Sequence, residues 1–168
     1  MPKTFLDRLD ALSEKTGVPA LARGTPRRRH LRWTPVVALV LASAGLAVGL
    51  AAGPVWRNIG YAVLMVGFSI ATMLPLLGPL KPWGTAERVD EFDRATRDRA
   101  FFVAFASVSV AAVIGIWLVM GFALLVNWSR ETLLWALALL SLYLMTLYGT
   151  VPTLHASWAT RPIGDDED

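Results

Sequence analysis

The chain contains no cysteine and only two histidines, His30 and His155. The first absence removes disulfides, thiolate metal sites and cysteine nucleophiles together. The two histidines have no acidic or metal-ligand spacing around them. There is no phosphate-cradling glycine loop, and no paired carboxylates stand within an apolar run. A catalytic base, nucleophile or metal set needs several such groups converging in one place. The sequence therefore predicts no catalytic residue, no metal and no cofactor, and the expectation is a protein that is not an enzyme. Charge is scarce too. Charged residues are 17% of the 168 and hydrophobic ones 55%, both displaced from soluble averages in the direction of membrane proteins.

What is present is blocks of apolar residues. Four runs hold no Lys, Arg, Asp or Glu: about 33–53, 60–80, 100–126 and 132–153. At 1.5 Å per residue, Trp33 to Gly53 measures about 32 Å, against about 30 Å for a hydrocarbon core. Inside a bilayer each backbone amide must find its partner within the segment, so each run is expected to be helical. The basic stretch before the first run resembles the start of a secretory signal. The run is longer than a signal's 7–15-residue core, so it is read as a retained span.

Basic residues set the orientation. Residues 1–32 hold eight Lys and Arg, the 81–99 loop five and the tail one, Arg161. The other two connections, Pro54 to Ile59 and Asn127 to Glu131, hold only Arg57 and Arg130. Four spans put the basic-rich segments on one side, the cytoplasmic one. Trp33, Trp83 and Trp158 then fall at the inner interface, and Trp56, Trp128 and Trp135 at the outer. The expected fold is all-α: a transmembrane four-helix bundle of two antiparallel hairpins. Its parts are a cytoplasmic segment 1–32, a membrane domain 33–156 and an acidic tail 157–168, with both termini cytoplasmic.

Thr4 to Ser13 reads as a short amphipathic helix, with Phe5, Leu6, Leu9 and Leu12 on one face. Arg27, Arg28, Arg29 and Arg32 abut the first span. They suit anionic lipid headgroups, although plain topology setting explains them as well. No folded basic surface for nucleic acid accompanies them. From Thr85 the chain reads TAERVDEFDRATRDRAFF without Pro or Gly. Asp90–Arg94, Asp93–Arg97 and Arg94–Asp98 are opposite charges at i,i+4. The third helix is thus expected to start near Thr85 and to extend into the cytoplasm as a charged stem. It is either a docking surface or a self-solvating extension. Asp90-Glu91-Phe92-Asp93-Arg94, with Arg97-Asp98-Arg99-Ala100 entering the span, resembles a pattern in small uncharacterised four-span bacterial inner-membrane proteins of unknown function. The resemblance covers about 20 residues. It implies a bacterial inner-membrane protein and carries no activity.

Within the spans, Gly45, Gly49 and Gly53 repeat at every fourth residue, a glycine zipper that lets another helix backbone approach. Ser107, Ala111 and Gly115 form a second small-residue row, and the two rows are expected to be able to face each other. They read as an oligomer seam or as packing within the bundle. Pro75 is expected to bend the second helix. Thr146, Thr150 and Thr153, with Ser69 and Thr72, read as a small polar cleft, or as hydroxyls bonded back to their own helices. His155 is near the inner interface, with no assigned role. No acidic residue lies in a span to carry coupling charge. The sequence fits best a small non-catalytic accessory, scaffold or assembly protein of the inner membrane. Its partners would be the lipid bilayer, and a second copy or another membrane protein met through span 1 or the 85–99 stem. The alternative is a small-solute or ion transporter with an uncharged polar pathway.

Overall fold

The computed structural model describes residues 31–51, 53–78 and 91–159. These residues form four α-helices: α1 (Thr34–Leu50), α2 (Pro54–Leu77), α3 (Glu91–Val126) and α4 (Arg130–Ala159). No strand occurs among the described residues. Helices α2, α3 and α4 are long and apolar enough to cross a membrane. Helix α1 is a shorter apolar helix of 17 residues, about 26 Å at 1.5 Å per residue. The expected Thr4–Ser13 helix, Arg27–Arg29, His30, the 85–90 part of the stem and residues 160–168 of the acidic tail lie outside the described residues.

The apolar runs mark the helices, but charge does not mark where they end. Helix α1 stops at Leu50 rather than Gly53, because Ala51 is extended (φ −65°, ψ 159°). Gly53 has φ +108°, a conformation glycine adopts without steric cost. It is the N-cap of α2 and lies outside the zipper. Pro54 then opens α2 six residues before the expected start at Gly60. Its preset φ suits the first helical position, where its missing N–H has no intrahelical partner anyway. The Arg57 N–H bonds the Gly53 carbonyl at 3.1 Å, so this arginine belongs to the helix and only residues 51–53 connect α1 to α2.

The turn between α3 and α4 is equally determined. Asn127 takes a left-handed φ of +50°. The Trp128 N–H reaches back to the Ala123 carbonyl at 3.1 Å, the six-to-one bond of a Schellman ending. The Trp128 ring stacks on Phe122, with centroids 6.3 Å apart, supplying the apolar contact that accompanies this motif. Ser129 caps α4: its hydroxyl accepts the Thr132 N–H at 3.2 Å. At the far end α4 runs on through Pro152 to Ala159, so the boundary expected after residue 156 falls inside a helix.

Helix α4 is the hub, packing against α1, α2 and α3. Helix α1 also packs on α2, whereas α3 touches only α4 among the described residues. The two small-residue rows therefore do not face each other. Gly45 and Gly49 meet Gly60 and Leu64 of α2, and Gly67 meets Ala38 and Ala42. Gly115 meets Leu140 of α4 instead. The seam between α3 and α4 is built from side chains: Val119, Ala136 and Leu140, flanked by Trp128, Leu133 and Leu144. Phe101 and Tyr148 extend it, with rings 6.2 Å apart. The rest of α3 is open, and Phe102, Phe105, Trp117, Leu124 and Leu125 are each more than half exposed.

Candidate functional site

Two adjoining cavities lie where α2 and α4 begin, of about 430 and 370 Å³. Arg57 and Trp135 line both. Arg57 Nη2 donates to Thr132 Oγ1 at 2.9 Å, and that oxygen lies 3.0 Å from Ser129 Oγ. One guanidinium thus ties the first turn of α2 to the Ser129–Thr132 cap of α4. The guanidinium has five N–H donors, and among the described residues no carboxylate lies within ion-pair distance of it. Glu131 stands on the wall of the larger cavity, exposed, in the first turn of α4. The Trp135 indole packs on Tyr61, with centroids 5.7 Å apart, and its buried Nε1 has no partner among the described residues.

The positive ends of two helix dipoles converge at this place. The first turn of α2 carries no acidic residue. Unpaired N–H groups, a guanidinium and two helix N-termini favour an anion. Sequence reading missed the site, because Arg57 and Arg130 entered it only as the minority in a charge count. The usable signal was Trp56-Arg57-Asn58 and Trp128-Ser129-Arg130 at two apolar run ends facing the same way.

The threonine stripe is placed differently from a cleft. Thr146, Thr150, Thr153 and Ser157 are buried. Thr146 donates to the Leu142 carbonyl at 2.9 Å and Thr150 to the Thr146 carbonyl. Ser69 and Thr72 are exposed on α2, donating at 2.8 Å to the carbonyls of Met65 and Ser69. The five residues are not brought together around one opening. Instead, Thr153 lies against Gly78, where a Cβ would come within 2.8 Å of the threonine methyl. The Ala71 carbonyl, whose i+4 donor is removed by Pro75, faces Gly149; a Cβ there would be 3.1 Å from that oxygen.

Of the packing residues, Gly45, Gly49 and Gly115 are at helix contacts. Ala111 is half-buried, and Ser107 is half-buried with its hydroxyl on the Val103 carbonyl at 2.8 Å. Arg32 is exposed. His155 borders a groove of about 600 Å³ with Val36, Val103, Val151, Leu154 and Trp158. The stem's Arg94 and Asp98 are both exposed and do not pair with each other; Asp98 instead lies 3.8 Å from Arg97 Nε. Among the described residues no group of three His, Asp or Glu is placed to hold a metal ion. No known protein family matches the chain, and no curated protein or solved structure does either.

Proposed function

We propose that the chain is a small, non-catalytic accessory or assembly protein of a bacterial inner membrane, crossing it four times as two antiparallel hairpins with both termini cytoplasmic. The contact order supports the hairpins: along α1 from Gly49 to Ala38 the partners on α2 ascend from Gly60 to Gly67. The 17 residues of α1 reach the lower limit for a span. The third helix, 36 residues from Glu91, is about 54 Å long. It is longer than a span needs, so its charged start stands in the cytoplasm.

The observation that carries the assembly reading is the attachment of α3. Among the described residues it packs along α4 alone, and its aromatic side chains Phe102, Phe105 and Trp117 face outward. Lipid alone can cover such a face, but a laterally accessible helix with large rings also suits packing against another membrane helix. The transporter alternative draws less support. Thr146, Thr150 and Thr153 are buried, the first two bonded within α4, and Ser69 and Thr72 are exposed on α2.

The test is a photo-reactive amino acid placed at Phe105 or Trp117 in intact cells, with Met73 on exposed α2 as the reference. Discrete protein adducts at the α3 positions and lipid adducts at Met73 are expected. Lipid adducts alone at all three positions sink the assembly reading.

A further inference from the structure

The larger cavity at Arg57 has the layout of an amphiphile. Its polar end is Arg57, Asn58 and Glu131; its apolar wall is Leu134, Trp135 and Ala138. Glu131, Leu134, Trp135 and Ala138 are spaced i, i+3, i+4 and i+7, one face of α4 over two turns, about 10 Å. Leu134 and Ala138 are exposed, so the apolar wall continues onto the outer surface of the helix. At the polar end a guanidinium with no ion-pair partner among the described residues stands beside two helix N-termini. A free inorganic anion would use only the polar end. A phospholipid uses both: its phosphodiester takes the guanidinium's donors, and the start of an acyl chain covers Leu134 and Ala138.

We propose that this cavity binds one anionic phospholipid, with its phosphodiester on Arg57 and an acyl chain along α4. The site lies at the end of the bundle opposite Arg32, which precedes α1, so it is separate from that basic residue. Thr132 is the positioning residue, because its bond to Nη2 fixes the guanidinium over the cavity. Glu131 opposes the ligand's charge and weakens binding, which gives the site a signature that a purely structural arginine lacks.

The full chain in neutral detergent is titrated with phosphatidylglycerol, and separately with inorganic phosphate. Native mass spectrometry counts the bound lipid and a melting shift reports occupancy. One lipid is expected to be retained by the wild type. Arg57→Gln should weaken retention about tenfold, the loss of a charge-assisted, forked contact. Arg57→Lys should fall between the two, since it keeps charge without the fork. Glu131→Gln should tighten binding several-fold, and Ala138→Phe should reduce it by filling the apolar wall. These last two leave the Arg57–Thr132 bond in place, so they decide the matter if Arg57→Gln does not fold. Retention unchanged in folded Arg57→Gln overturns the proposal, as does the lack of any response in both Glu131→Gln and Ala138→Phe. A melting shift with inorganic phosphate and none with the lipid also overturns it, because the cavity would then serve a free anion.

Discussion

The protein holds its helices together in two different ways. Between α1 and α2 the backbones touch: Cβ atoms added at Gly45 and Gly60 would collide with main-chain atoms of the facing helix. Between α3 and α4 the contact is made by side chains, Val119 and Leu140 above all, and Gly115 faces only the end of Leu140. A backbone seam has no side chain to move aside, so it tolerates no added volume. A side-chain seam can repack. The first is therefore a seam of fixed geometry, and the second an adaptable one that leaves most of α3 free.

Substitutions should separate the two seams. Gly60→Leu inserts a branched side chain against the Gly49 backbone, and overpacking of this kind costs about 3 kcal/mol or more. The expected outcome is loss of the folded protein in a detergent unfolding assay. A Gly60→Leu protein that melts like the wild type would show that the α1–α2 approach is not close. Leu140→Ala removes the main knob of the other seam and should cost about 2 kcal/mol. Its folded state should keep the α1–α2 pairing while protease sensitivity rises in α3. Gly115→Ala should cost about 1 kcal/mol or less, because the Leu140 tip at 2.6 Å from the new methyl can rotate away. A loss as large as that of Gly60→Leu would erase the distinction. Gly121 has nothing within 4 Å of an added Cβ. Gly121→Ala should therefore shift the unfolding midpoint slightly upward, by less than about 1 kcal/mol, through helix propensity alone.

The same contrast explains how far the sequence could be read. Helix existence followed from apolar run length, because a long uncharged run has few other outcomes. Helix ends did not, because the runs were cut at charges, whereas the real stops are backbone devices: Gly53 before Pro54, Asn127 before Trp128, and Ser129 as a cap. Gly45 and Gly49 were legible as packing positions from their spacing. Their partner was not, because spacing says that a backbone can approach without saying which one. The threonines of α4 were legible as a stripe, but a stripe becomes a cleft only if its hydroxyls lack acceptors, and for Thr146 and Thr150 the carbonyls of their own helix supply these. Arg57 was read as a topological charge. Its role depends on α2 and α4 beginning side by side, which no local pattern states.

Gly49 and Gly60 meet across eleven residues of chain, from 49 to 60, while Gly49 meets Leu139 across ninety, from 49 to 139. Closing the shorter loop costs about 2 kcal/mol less, so the α1–α2 pair is the contact that forms while the chain is still being made. At about 5–20 residues per second, Leu139 follows Gly60 by roughly 4 to 16 seconds. For that interval the protein is a two-helix hairpin whose second face, at Gly49 and Ala71, has no occupant. The short turn at Gly53 therefore sets a calendar as well as a shape: one seam closes at once, and the surface meant for α4 waits open.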